Sequence, residues 1–368
     1  MDSESTEAWL ERLPSLLEGY EQRDIYNADE TGLFYNVLPD RTLALKGESC
    51  HGGKNCKDRL TVLLCVNSDG TDKQVPTVIG KSPKPRCFKN VKKLPTKYHA
   101  NNKAWMTTDI FSSFLRSLDA SMGAQSRNIL LFVDNCAAHP KDTSFLRNVK
   151  VIRYPANCTS VLQPLDLGVI KCYKQLYRKR LVQTAVCLMD AGKDTKKKIN
   201  VLEALHYTVA ALQEVTQQTI ENCFRKAGYV QGQSSGDSDV VLTNDDDDFR
   251  QDWEKFSGMN KDKFEDYVSV DSHVATCGVE TVQELCVSLV ASGSVEREEE
   301  EEAGEPEVVP SFAETHEALM KVRSFFYAHS TSDSDRESVL GLEKSYFELR
   351  RSKVCSKQTS MKDFLSKK

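Results

Sequence analysis

Apolar positions along this chain fall into short continuous runs and longer stripes with helical spacing. Ile129, Leu130, Leu131, Phe132 and Val133 form one such run, with the length and character of a strand buried on both faces. It stops at Asp134, so a carboxylate sits at the C-terminal end of a parallel-type strand, where α/β sheets deliver chemistry. A second short strand runs from Val149 to Tyr154 and is closed by Pro155. Upstream, residues 24–35 alternate in part like a strand, with Asp29 in the middle. Residues 59–66 are the clearest strand of the first half; Asn67-Ser-Asp-Gly70 signals a turn, and 75–79 reads as the hairpin partner. Residues 81–103 show no period and are expected to be a loop.

The helices follow the other period. Ile110, Phe111, Phe114, Leu115 and Leu118 mark a core-packed helix within 105–118. Pro164 suits the start of a helix that runs on through Val169, Ile170 and Tyr173, with Asp166 in its first turn. Leu202, Leu205, Val209 and Leu212, then Ile220 and Phe224, predict a helical pair that Gly228 stops. Ser5 or Thr6 is placed to cap a short helix through Leu13, and 312–327 and 338–351 predict a small helical hairpin. No stretch approaches about eighteen apolar residues, so no membrane span is expected, and the first residues lack the make-up of a secretory signal.

Charge changes the picture once the chain is divided. The formal net charge is −5, yet residues 1–230 hold 33 Lys+Arg against 24 Asp+Glu, and the remainder holds 16 against 30. A basic body suits a polyanionic partner, because Lys and Arg displace counterions from phosphates. Asp245–Asp248 and Glu298–Glu302 are runs of like charge that repel and stay solvated, so 231–310 is expected to be an acidic, largely disordered linker with short helices near Trp253 and Leu285. The twelve cysteines include no Cys-x-x-Cys pair and read as reduced thiols. Cys50, His51 and Cys56 have the look of half a zinc site with no second half, and Cys136 and Cys158 read as packing.

Three carboxylates on separate segments, with no His or Cys cluster among them, favour a hard, oxygen-seeking cation such as magnesium. Taken singly, each has a plainer reading: Asp29 in a turn, Asp134 as a cap, Asp166 as a charge at a helix N-terminus. Their surroundings decide. Asn27-Ala-Asp-Glu-Thr-Gly-Leu33, Val133-Asp-Asn-Cys-Ala-Ala-His139, Leu162-Gln-Pro-Leu-Asp-Leu-Gly-Val169 and Thr219-Ile-Glu-Asn-Cys-Phe-Arg-Lys-Ala-Gly228 resemble the ordered motifs of pogo/Tigger-type transposases. These are transposon-derived relatives of centromere protein B within the Tc1/mariner group, and the likeness covers about residues 25–230. The resemblance implies an α/β, ribonuclease-H-like fold, a mixed β-sheet flanked by helices. It also implies Asp29, Asp134 and Asp166 as a triad for two magnesium ions, with manganese as a substitute, acting on DNA phosphodiesters.

The remaining candidates are graded by position. Asn135 and His139 adjoin the triad, whereas Glu30 is expected on the opposite face of its strand. Lys81, Lys84, Arg86, Lys89, Lys92 and Lys93 in the first half, and Lys171, Lys174, Arg178, Lys179 and Arg180 after Asp166, are candidates for DNA-backbone contact. At the end of the chain Gln358, Met361, Phe364 and Leu365 resemble a peptide that docks on the DNA sliding clamp, with Leu replacing the final aromatic. The domains expected are a short helical segment (1–24), a catalytic domain (25–230), the acidic linker (231–310) and a helical tail (311–368). Family members carry two helix-turn-helix modules ahead of the catalytic domain, and 24 residues are too few for either. A nuclear enzyme is the leading expectation. The alternative is a domesticated, catalytically silent nuclear DNA-binding or adaptor protein that keeps the fold.

Overall fold

The computed structural model describes residues 3–38, 58–89, 91, 93–156, 158–190, 198–229, 253–254, 257 and 262–278, together with scattered positions from 310 to 349. The chain divides into two units, Met1–Glu305 and Pro306–Lys368. The first holds a six-stranded sheet made of β1 (Ile25–Phe34), β2 (Arg59–Asn67), β3 (Thr77–Gly80), β4 (Lys97–Ala100), β5 (Ile129–Val133) and β6 (Val149–Arg153). Their spatial order is β4-β3-β2-β1-β5-β6. β1, β2 and β3 pair antiparallel, while β5 lies parallel to β1 and β6 parallel to β5. An antiparallel meander continued by parallel strands beside β1 is the ribonuclease-H-like arrangement that the motifs implied.

The hairpin forms where the turn signal stood, with Thr61 opposite Ile79 and Gly70 at φ +68°. A left-handed residue there favours glycine. The stretch expected to be a loop proves partly ordered into sheet, since β4 pairs parallel with β3 at the edge. Period-2 alternation is invisible in a four-residue edge strand whose residues are half-buried or exposed.

Helices cover both faces. On one, α2 (Thr108–Ala124) buries Phe111, Phe114, Leu115, Leu118 and Met122 against the even-numbered residues Tyr26 and Ala28 of β1. At about 1.5–3 kcal/mol for each such side chain, this burial far outweighs the cost of nucleating the helix. On the other face lie α1 (Ser3–Leu17), the one-turn α3 (Thr159–Leu162), α4 (Ile170–Asp190), α5 (Val201–Glu214) and α6 (Gln217–Lys226). Their Trp9, Leu13, Tyr173, Tyr177, Leu205 and Phe224 share a core with Ile25 and Leu33. Asn200 and Glu203 form a capping box at the start of α5.

Helical structure is present near Trp253 as expected, and it packs on the body. Trp253 is buried against Tyr267 of α7 (Asp262–Val268), beside Val182 and Val186 of α4. Asp271, just beyond α7, is 1% exposed. Its carboxylate accepts from Lys174 Nζ at 2.6 Å, from Arg178 and from the Phe34 backbone N–H at 3.0 Å. Two of the cations read as DNA contacts are thus buried and neutralised from within, and that reading is corrected for Lys174 and Arg178. Helical spacing alone gave no sign of it, because the partner lies about ninety residues further on. In the second unit the described residues between 314 and 325, and again between 335 and 349, are helical. Cys50, His51, Cys56, Leu285 and the clamp-like peptide with Gln358, Met361, Phe364 and Leu365 lie outside the described residues.

Removing Asp271 leaves two cations buried without an anion, a change that costs on the order of 3–5 kcal/mol. Asp271→Ala is therefore expected to lower the urea midpoint sharply, while Asp266→Ala, whose side chain is exposed, barely moves it. Equal midpoints for the two variants would remove Asp271 as the anchor.

Candidate active site

Three segments meet at the C-terminal end of β5, and one amide holds them together. Asn27 is fully buried on β1; its Nδ2 donates to the Phe132 carbonyl of β5 at 2.9 Å, and its Oδ1 accepts from the Leu165 N–H at 3.0 Å. Leu165 opens a widened π-type turn, Leu165–Val169, which carries Asp166 into α4. Asn27 and Asp29 share a strand face because side chains alternate. The bridge therefore fixes Asp29, the end of β5 and the Asp166 turn relative to one another.

The structure brings Asp29, Asp134 and Asp166 together. Asp29 is 8% exposed, and its carboxyl lies within hydrogen-bonding reach of the Asp166 carboxyl. Burial first, and then the charges of Asp166, Glu30 and Asp134, hold the Asp29 carboxyl well above the usual carboxylate range. Asp166 stands at the rim, where burial of its carboxyl end and the charge of Asp134 raise it while the bond with Asp29 pulls it down. Like charges converge on Asp29 and Asp166, neither of which is paired with a basic side chain among the described residues, and a shared proton relieves the crowding.

Asp134 is held from behind. Its Oδ1 accepts from the Cys136 N–H at 3.2 Å and lies 3.0 Å from His139 Nδ1. The other ring nitrogen, Nε2, lies 3.1 Å from Glu30 Oε1, and the ring stacks on Phe111 with centroids 3.8 Å apart. Burial alone would push His139 down, but bonds to Asp134 and Glu30 outweigh it and lift the imidazole to about 10. At neutral pH the ring is a cation clamped between two carboxylates, with both nitrogens donating.

Glu30 does face away from Asp29, as strand alternation requires, yet it serves the same site through His139. That role is missed when residues are read one face at a time. Asn135 is exposed beside Asp134. Ligand atoms of Asp134, Cys136 and His139 lie within 4.8 Å of one another, a set whose sulfur and nitrogen would suit a softer metal. The two carboxylates already occupy both imidazole nitrogens, so the oxygen-only set of Asp29, Asp134 and Asp166 is the better fit for a cation.

Among the cationic candidates, Lys81, Lys84, Arg86, Lys89 and Lys93 are exposed, and Lys92 lies outside the described residues. Lys171 is exposed and pairs with Glu265 at 2.9 Å, Arg180 pairs with Glu214, and Lys179 is half-buried. A cavity of about 360 Å³ between Asn128, Arg147 and Lys150 lies at the opposite end of β5 from the acids. No helix among the described residues is long and apolar enough to cross a membrane.

A DDE superfamily endonuclease model matches residues 57–224. The chain is 33% identical to Tigger transposable element-derived protein 4 of Mus musculus over 347 residues, 90% of this chain and 66% of that protein. It is 38% identical to the Homo sapiens major centromere autoantigen B over 228 residues, 61% of this chain and 37% of that protein. ARS-binding protein 1 of Schizosaccharomyces pombe is 35% identical over 217 residues, 56% of this chain and 41% of that protein. The chain therefore spans between about a third and two thirds of these relatives. A solved structure of a Mos1 transposase paired-end complex overlaps 61% of this chain and 60% of its own, with a TM-score of 0.31 and 11% identity.

Glu30→Gln removes one of the two carboxylates that hold the His139 proton. An NMR titration of the His139 imidazole is expected to give a midpoint near 10 in the wild type and a lower one, moving toward 6.5, in the variant. Because the folded value is raised, the stability this clamp confers is full below pH 6.5 and is lost as pH climbs through about 10. A wild-type midpoint near 6.5 would show that no clamp exists.

Proposed function

Since this chain belongs with the pogo/Tigger-type DDE proteins of the Tc1/mariner group, we propose that Asp29, Asp134 and Asp166 bind two divalent cations and cleave DNA phosphodiesters. The observation that carries the reading is the meeting of the Asp29 and Asp166 carboxyls with Asp134 alongside, three buried or rim carboxylates of which Asp134 alone meets a basic side chain, His139, among the described residues. Magnesium, with manganese as a substitute, fits an all-oxygen donor set and would take the place of the proton shared by Asp29 and Asp166. Such ions supply an activated oxygen nucleophile and charge neutralisation at the leaving oxygen.

The chain's own residues do the rest. Asn27 keeps the Asp29 and Asp166 segments in register. His139, clamped by Glu30, holds one oxygen of Asp134, so the other has no protein partner among the described residues and is left for a cation. The exposed basic set of Lys81, Lys84, Arg86, Lys89 and Lys93, with Lys171 and Lys179, would meet the DNA backbone, and each such contact adds salt-dependent affinity without sequence choice. Work on DNA would put the protein in the nucleus. The clamp-like residues Gln358, Met361, Phe364 and Leu365 would bring it to replicating DNA.

A second reading is favoured by the relatives. Two of them are named for a centromere and for ARS binding, neither for strand transfer. In that reading the fold is kept for holding DNA or for adapting other proteins to it.

Nicking of supercoiled plasmid in magnesium or manganese separates the two. The cleavage reading expects metal-dependent nicking by the wild type that falls to the metal-free background in Asp134→Ala. DNA binding without nicking by either protein, in the presence of both metals, would establish the silent reading instead.

A further inference from the structure

The turn that carries Asp134 and His139 also carries Cys136, whose thiol the cleavage reading does not use. Its Sγ lies 2.7 Å from Sγ of Cys277, 141 residues away. Cys277 lies near the end of a strap, residues 271–278, that crosses the body beside the acids. Asp271 anchors the start of the strap in the buried cluster with Lys174 and Arg178. Val274 then lies over Gly32 of β1, where a Cβ would come within 2.7 Å of the valine side chain. Arg59 Nη1 donates to the Ala275 carbonyl at 2.9 Å, and the Met106 N–H to the Thr276 carbonyl at 2.8 Å. Trp105 packs where a Cβ on Gly278 would fall. Both residues are half-buried rather than sealed in the core.

We propose that Cys136 and Cys277 are a reversible disulfide pair that staples the strap to the catalytic turn. The strap is held at many points before the sulfurs meet, so bond formation requires only that two adjacent thiols draw together to about 2.05 Å. Hydrogen peroxide is the oxidant. One thiolate attacks the peroxide oxygen, gives a sulfenic acid and releases the hydroxyl leaving group as water. The second thiol attacks that sulfur, the S–S bond forms, and the sulfenic oxygen leaves as a second water; two thiols lose two electrons and two protons to one peroxide. A dithiol reverses the bond by exchange. Oxidised, the strap cannot lift from the edge of the site and the Asp134 turn is pinned. Reduced, both can move to admit a duplex. This effect on cleavage rests on the nuclease reading above; the bond itself does not.

The full chain, treated with a small excess of hydrogen peroxide, alkylated and digested without reductant, tests the bond by mass spectrometry. The expected product is one cross-linked peptide joining Cys136 to Cys277, absent in Cys277→Ser and lost after dithiothreitol. Hydrogen exchange across 271–278 should slow in the oxidised form. Separate alkylation or over-oxidation of the two cysteines, or cross-links to other cysteines instead, would overturn the pair. Where the reduced protein nicks plasmid, the oxidised wild type should nick at least about tenfold more slowly and recover on reduction, while Cys277→Ser stays indifferent to peroxide. A cross-linked protein that nicks at the reduced rate would overturn the control of the site. A protein that never nicks leaves the bond to be judged by the cross-linked peptide and the exchange data alone.

Discussion

One buried amide sets the geometry on which the candidate site depends. Asn27 satisfies a carbonyl of β5 with its nitrogen and an amide of the Asp166 turn with its oxygen. Neither group could find water in that interior, so each bond fixes a distance as well as contributing energy. A residue of similar size without both a donor and an acceptor would leave at least one backbone group unpaired. Local strand geometry places Asp29, local turn geometry places Asp166, and Asn27 converts two local facts into one mutual distance.

Around that strut the protein tolerates charge by pairing it at successive depths. Asp29 and Asp166 share a proton, Glu30 and Asp134 share the His139 cation, and Asp271 balances Lys174 and Arg178. The first of these sets has no cation of its own. The other two are closed internally, as buried charge must be if it is to persist. This difference in closure separates a ligand-seeking acid cluster from structural ion pairs, and it is visible only once the partners are known.

The parts that were readable in the sequence were those encoded over a few consecutive residues. The run at 129–133 and its terminal Asp134, the Asn67–Gly70 turn and the apolar stripe of α2 all depend on local period and turn chemistry, and each took its expected form. β4 was missed because four residues at a sheet edge carry no readable alternation. The part Glu30 plays through His139, and the burial of Lys174 and Arg178, were missed for a different reason. Their partners lie 109, 97 and 93 residues away, and no window along the chain contains both ends of such a contact. The likeness to a known family supplied the triad as a set but said nothing of the strap from Asp271 to Gly278, which falls beyond the matched motifs.

That strap bears on where this molecule ends as a folding unit. Similarity to the DDE family model stops at residue 224, and the change in composition near 230 invites a boundary there. Yet the counter-charge for two buried cations of α4 arrives only with Asp271. A chain emerging from the ribosome would have its sheet and its acids in place well before it could neutralise its own interior. The half that carries the acids is thus completed by a segment that its sequence labels as solvent-loving, and the family model stops short of where the folding unit does.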